Sequence, residues 1–275
     1  MRQSSRSYNL TIISPLMKFA ALCLAIVLCC FMQSFPLAHA PAASGALKGG
    51  APAVMKNLPY GAAAGDRRRS FDLYLPAKSN TKPALLIFVH GGFWLLPDDD
   101  YRIGPSLAEN LVQDGVAVAL VRYRLAPAHR HPIQVKDVAA AVARLARDAD
   151  KYGFDAKRIF LAGHSAGGHL AALVALDRRY LAEQKLSAQV AGVISFSGLY
   201  DLLPTWSISE NQKSAVAKTF GNDLAVLKRG SPIAHVRPDA PAFLIMTAFA
   251  DFPGFAIDAR RFADRLRAAG TGGVH

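Results

Sequence analysis

Ile159-Phe160-Leu161-Ala162-Gly163-His164-Ser165-Ala166-Gly167-Gly168-His169-Leu170 is the stretch on which the reading of the whole chain turns. Four apolar residues, Ile159 to Ala162, run directly into Gly163-His164-Ser165-Ala166-Gly167, and an Ala- and Leu-rich segment continues from His169 to Leu176. The pattern is a strand, a tight turn and a helix, with a serine at the apex. Such a turn is strained, and side chains at positions 163 and 167 would collide with the neighbouring strand and helix, hence the glycines. The strain lifts the serine hydroxyl clear of the sheet. It also sits at the N-terminus of a helix, whose dipole favours a developing negative charge. The pentapeptide alone recurs by chance, so its meaning depends on what surrounds it.

Upstream, Ser70-Phe71-Asp72-Leu73-Tyr74-Leu75 alternates apolar and polar positions, as in a half-buried strand, and Pro76 ends it. Pro83 to Val89 is a continuous apolar run of the kind buried on both faces. It opens into His90-Gly91-Gly92-Phe93-Trp94, where two glycines let backbone N–H groups point into a cleft unobstructed. Acyl transfer needs such donors, because its tetrahedral intermediate carries a negative oxygen. A short amphipathic helix is expected over Ser106–Gln113, a buried strand over Val116–Val121, and a long helix from about Ile133 to Tyr152, capped by Gly153. Alternating strands and helices imply an α/β fold with a mostly parallel, doubly wound sheet.

Three motifs stand in order: His90-Gly91-Gly92-Phe93-Trp94, Tyr123-Arg124-Leu125-Ala126-Pro127 and Gly163-His164-Ser165-Ala166-Gly167-Gly168. Together they resemble the α/β-hydrolase carboxylesterases, with the hormone-sensitive-lipase-like and feruloyl-esterase-like groups nearest. The resemblance runs from about Phe71 to Gly270. It implies Ser165 as nucleophile on a nucleophile elbow and the N–H groups of Gly91, Gly92 and Ala166 as an oxyanion hole. His90 then braces the loop. Val190 to Phe196 reads as the next buried strand, and in Ser197-Gly198-Leu199-Tyr200-Asp201-Leu202 the carboxylate of Asp201 braces a loop. Residues 203–238 would form a cap or lid segment, with a helix near Lys213–Phe220. The triad acid is implied in the loop after the Ala242–Thr247 strand, which makes Asp251 the candidate. A helix over about Phe255–Ala269 should turn Ile257, Phe262 and Leu266 inward.

The resemblance places the catalytic histidine after one more strand. Only Thr271-Gly272-Gly273-Val274-His275 follow Gly270, and a strand alone takes about 5–6 residues. His275 therefore falls where that strand should begin. His164 and His169 lie on the elbow and its helix, and His129, His131 and His235 read as loop or packing residues; His275 and His169 are weak substitutes for the base. Two readings follow. The chain is a copy of an esterase lacking its last strand, histidine loop and last helix, or it is a noncatalytic binding protein on a hydrolase scaffold. An amide or formamide hydrolase is a further alternative on the same scaffold.

Composition sets the wider frame. The 275 residues suit one domain behind a leader, and 52% hydrophobic content supplies a core. Residues 1–40 read as a signal peptide: Arg2, Arg6 and Lys18 are the charges, Phe19 to Phe35 is almost wholly apolar, and Ala38-His39-Ala40 fits a cleavage site. Met17 is an alternative start, and a membrane anchor is the alternative to a leader. The implied localisation is secreted or periplasmic. Residues 41–69 read as a flexible linker and 70–275 as the hydrolase domain. Cys23, Cys29 and Cys30 all lie in the leader, so the mature chain has no disulfide and no thiol nucleophile. No metal and no organic cofactor are expected. Arg67-Arg68-Arg69 reads as a solvated face, and the net charge of +12 comes without a nucleic-acid motif. The expected partner is a small-molecule ester, with no nucleic acid and no stable membrane association once the leader is removed.

Overall fold

The computed structural model describes residues 51–61, 66–78, 80–97, 103–187, 190–203, 209–249, 251–252 and 254–275. The leader reading, including its cysteines, lies outside them. Seven strands, β1 (Ala53–Pro59), β2 (Ser70–Leu75), β3 (Leu85–Val89), β4 (Ala117–Val121), β5 (Ile159–His164), β6 (Gly192–Phe196) and β7 (Ala242–Met246), make one sheet in the order β1-β2-β4-β3-β5-β6-β7. The first two pairings are antiparallel and the other four parallel. The helices are α1 (Ile103–Gln113), α2 (Ile133–Arg147), α3 (Ala149–Tyr152), α4 (Ala166–Leu176), α5 (Arg178–Glu183), α6 (Glu210–Phe220), α7 (Leu224–Gly230) and α8 (Phe255–Ala268).

The winding direction reverses beside β3. The chain moves outward from β3 to β4, then returns to the other side of β3 with β5, β6 and β7. In an open α/β sheet this reversal opens a crevice outside the carboxyl ends of the strands. Those ends are where β3 runs into His90-Gly91-Gly92 and β5 into Ser165. All eleven residues of α4 are buried, which is why its sequence is apolar on every side rather than striped.

Several expectations change. Part of the stretch expected as a linker is structured: β1 pairs with β2, and Arg67–Arg69 form a 3-10 turn capped by the Asp66 side chain. β1 is an edge strand with only Met55 and Leu58 half-buried, so its sequence carries little apolar signal. β2 is not half-buried but buried along nearly its whole length. Its polar residue Asp72 accepts two hydrogen bonds from Arg122, Nη1 at 3.0 Å and Nη2 at 2.7 Å, which satisfies both charges out of water. The helix expected over 133–152 breaks at Asp148, with Gly153 closing α3 in the left-handed conformation. On α8 the inward face is Phe255, Asp258, Ala259, Phe262 and Leu266, and Ile257 is 51% exposed. The buried stripe is rotated because Asp258 Oδ2 accepts the N–H of Tyr200 at 2.7 Å, an attachment that apolar periodicity cannot display. Burial pushes the Asp258 carboxyl up to about 6.

The segment expected as a cap contains α6, α7 and the 3-10 turn Pro232–His235. Arg130 donates to the carbonyls of Ala217 and Lys218, and His131 N–H to Thr219, so the end of α6 is tied to the loop before α2. Phe220 wedges between Trp94, His131 and His169, at centroid distances of 5.1, 4.8 and 5.5 Å. At the far edge Val274 pairs parallel with Phe243, and His275 N–H donates to Phe243 O at 3.0 Å. Residues 273–275 thus run alongside β7 in strand fashion, where a further strand was expected to begin.

Two outcomes follow from the packing. Asp72→Ala leaves Arg122 buried without its counter-ion and should cost about 3–5 kcal/mol of stability, read by urea denaturation. Burial, reinforced by the nearby charge of Arg229, holds His131 at about 4, below its ordinary 6.5. The unfolded chain therefore binds a proton below pH 6.5 that the folded chain refuses until about pH 4. This contribution is full above pH 6.5 and is lost as pH falls through 4. The urea midpoint of His131→Leu should accordingly fall less than that of the parent over this interval.

Candidate active site

Ser165 has φ 52° and ψ −118°, a conformation that L-residues rarely adopt. Two close approaches hold it there. A Cβ on Gly163 would collide with the backbone of Gly167, and a Cβ on Gly167 with the carbonyl oxygens of Val89 and His90. The first turn of α4 is thus pressed onto the end of β3. Ser165 N–H donates to Phe196 O at 2.8 Å, which fixes the turn to the end of β6 as well. Ala166 is the first residue of α4, so its N–H lies at the positive end of a helix with no acidic residue in its first turn.

The loop after β3 is strained in its turn. Gly92, Phe93 and Trp94 have φ of 96°, 57° and 60° in succession, and each non-glycine costs roughly 1–3 kcal/mol. Leu95 and Leu96 N–H both donate to Gly92 O at 2.9 Å, and Ala126 N–H to Trp94 O at 3.0 Å. Tyr123, fully buried, donates its hydroxyl to His90 O at 3.1 Å and Gly91 O at 3.3 Å. In a trans peptide the N–H points opposite the carbonyl of the same unit. Holding the carbonyls of His90 and Gly91 on Tyr123 therefore turns the N–H groups of Gly91 and Gly92 away from it. His90 stacks on the Tyr123 ring at 4.3 Å, and its Nδ1 lies 2.8 Å from Gly91 O, which suits the bracing role read from sequence. The Tyr123-Arg124-Leu125-Ala126-Pro127 motif thus serves the loop: Tyr123 and Ala126 hold it, and Arg124 anchors the motif to Asp137 of α2 at 2.6 Å.

Asp251 stands beyond the end of β7. Its Oδ2 accepts from Ser197 Oγ at 2.6 Å and from Ala248 N–H at 2.7 Å. Ser197 follows β6 with φ 49° and donates its own N–H to Met246 O at 2.7 Å. Ser165 and Asp251 are thereby joined through Phe196 and Ser197, each at the carboxyl end of neighbouring parallel strands. Asp201 accepts Leu203 N–H at 3.1 Å and braces its loop, as read from sequence. Sequence reasoning did not single out Ser197, Tyr123 or Asp258. Two of them lie in motifs that were already quoted, and the signal lay in asking which carbonyls or carboxylates their polar atoms would reach.

Several of the described histidines are engaged away from Ser165 and Asp251. His169 is fully buried, with Nδ1 accepting from Trp94 Nε1 at 3.3 Å and Nε2 lying 2.8 Å from Gly230 O. His235 Nε2 lies 2.8 Å from Arg229 O, and His131 packs on Phe220. Burial pushes His164 down, opposed by the charge of Asp251. His275 is in the edge ladder through its backbone. Among the described residues no group of three or more His, Cys, Asp and Glu is arranged to hold a metal ion.

Known proteins are similar to this chain in sequence and fold. The BD-FAE family model matches residues 71–253. Esterase LipC of Mycobacterium tuberculosis is 33% identical over 219 residues, covering 74% of this chain and 53% of that protein. Kynurenine formamidase of Danio rerio is 30% identical over 222 residues, covering 79% of this chain and 70% of that protein. The chain spans about half the length of most of the curated relatives it matches. Esterase B from Lactobacillus rhamnosus has the same fold, with a TM-score of 0.69 at 24% identity over 80% of this chain and 72% of that one. With the BD-FAE model covering most of the sheet and all three motifs, the chain belongs to the BD-FAE family of α/β-hydrolase carboxylesterases.

Proposed function

We propose that the chain is a serine hydrolase that cleaves carboxylic esters of small substrates through an acyl-enzyme. The observation that carries this reading is the strained Ser165 at the N-terminus of α4, beside a loop whose Gly91 and Gly92 N–H groups are turned away from Tyr123. Ser165 Oγ attacks the ester carbonyl carbon, and the carbonyl oxygen takes up the negative charge. The N–H groups of Gly91, Gly92 and Ala166 receive that oxygen. The C–O bond to the alcohol then breaks and the alcohol leaves with a proton. Water attacks the acyl group on Ser165 and releases the acid. Asp251 is the triad acid: with Oδ2 held by Ser197 and Ala248, Oδ1 is the oxygen that orients an imidazole and balances its charge.

A serine is a weak nucleophile until a base takes its proton. Among the described residues no hydrogen bond joins an imidazole to Ser165 or Asp251, and we assign the base to none of their histidines. His169 is excluded because both its nitrogens are engaged inside the core. Slow turnover by the chain as it stands is therefore part of the proposal, since an oxyanion hole and substrate binding still accelerate hydrolysis by about 10³–10⁴-fold over water. A second reading, hydrolysis of a formamide, is favoured by one observation: the kynurenine formamidase relative matches over 70% of its own length. We further propose that residues 1–40 export the chain, which rests on the charge and apolar pattern of that segment.

The test is turnover of p-nitrophenyl acetate and of an N-formyl arylamine by the purified chain and by Ser165→Ala. Slow ester hydrolysis that Ser165→Ala abolishes is the expected result. Turnover at ordinary esterase rates of about 10 s⁻¹ would overturn the argument about the base. Faster cleavage of the formamide would favour the second reading. Absence of Ser165-dependent cleavage of both substrates would overturn the proposal of slow turnover and favour the noncatalytic alternative.

A further inference from the structure

We infer that His169 is the positioning residue that fixes the oxyanion loop relative to the nucleophile, an inference that rests on the site proposed above. His169 lies one helical turn after Ser165, its N–H donating to Ser165 O at 3.0 Å. The turn that carries the nucleophile therefore also carries this imidazole. The ring is completely buried. Its Nε2 lies 2.8 Å from the Gly230 carbonyl, which can only accept, so Nε2 bears the proton. In a neutral imidazole the other nitrogen is then an acceptor, and the group that faces it is an obligate donor, Trp94 Nε1, at 3.3 Å. The indole meets the imidazole edge-on at 5.1 Å. Burial pushes His169 down to about 3, so the ring stays neutral and the polarity of both bonds is preserved at any ordinary working pH.

Trp94 is the last residue of the run Gly92-Phe93-Trp94, three successive positive-φ positions. Such a run persists only where its surroundings over-determine it. Gly92 O receives two N–H groups from Leu95 and Leu96, and Trp94 O receives Ala126. These bonds hold the loop to itself and to the segment after β4. The bond from Trp94 to His169 differs, because it ties a loop side chain to the helix that presents Ser165. Through Gly230 the same ring also reaches the end of α7, and Phe220 of α6 packs on both His169 and Trp94. One buried imidazole thus sets the loop, the nucleophile helix and the α6–α7 segment against one another. An ordinary core histidine would explain the burial, but not a donor–acceptor pattern that links two strained segments of the same site.

The test uses the full chain with His169→Leu, which can make neither bond, and His169→Gln, which retains a donor and an acceptor. Two readouts are compared: Ser165-dependent hydrolysis of p-nitrophenyl acetate, and amide NMR signals of Gly91 and Gly92 with the indole N–H signal of Trp94, assigned through Trp94→Phe. His169→Leu should unfold cooperatively, lower kcat about 10- to 100-fold with KM within about threefold, and shift both glycine amides and the indole signal. His169→Gln should recover kcat to within about threefold. A folded His169→Leu with unchanged kcat and glycine amides would overturn the inference, as would a folded His169→Gln as impaired as the leucine variant. Should His169→Leu not fold, Trp94→Phe removes the donor instead and must show the same kcat loss and glycine shifts; unchanged values there also overturn it. Without Ser165-dependent turnover in the parent chain the ester reading fails by itself, and the glycine amide shifts decide the role of His169.

Discussion

Gly163, Gly167 and the carbonyls of Val89 and His90 are packed so closely that no Cβ fits among them. This backbone contact is the constraint on which the site depends. It draws the start of α4 onto the end of β3, across the parallel pairing of β3 with β5. The contact leaves Ser165 in a conformation that its own preferences oppose, and the buried helix behind it absorbs the cost. An apolar helix buried on every side is well suited to this, because it supplies the packing that keeps a strained residue in place.

The same logic recurs around the crevice. Among the described residues six non-glycine residues have positive φ, and four of them, Phe93, Trp94, Ser165 and Ser197, lie just beyond the ends of β3, β5 and β6. Three of them are held by backbone atoms from another element: Trp94 by Ala126 of the segment after β4, Ser165 by Phe196 of β6, and Ser197 by Met246 of β7. The sheet brings rigid strand ends together, and hydrogen bonds between the following turns fix the backbone of each turn relative to its neighbours. Preorganisation of this kind is what electrostatic stabilisation of an oxyanion requires, since the donors need not reorganise as charge develops.

Much of this was legible in the chain. The apolar runs of β3, β4, β5 and β6 identify buried parallel strands, and Gly163 and Gly167 announce a turn too tight for side chains. The Ser165 elbow, the Gly91-Gly92 loop and the position of Asp251 were visible as motifs in order. Less legible was anything that depends on polar partners distant in sequence. β1 has too few buried residues to reveal itself. Asp72 reads as the outward position of an alternating strand until Arg122, fifty residues on, is seen to neutralise it. Asp258 reads as a polar face of α8, yet it lies inside because the Tyr200 N–H needs an acceptor.

The sequence by itself determined the alternation of strands and helices, the strained serine turn and the glycine-rich loop, because local apolar periodicity and steric demands on glycine are written residue by residue. Only the tertiary structure decided that the reversal of strand order falls between β3 and β5, which puts Gly91, Gly92 and Ser165 at one crevice. It alone gave His169 its two partners, Trp94 and Gly230, which engage both ring nitrogens and make it a link between loop and helix. Those outcomes depend on hydrogen-bond directions between segments as far as 75 residues apart, and directionality between distant polar groups leaves no periodic trace along a chain.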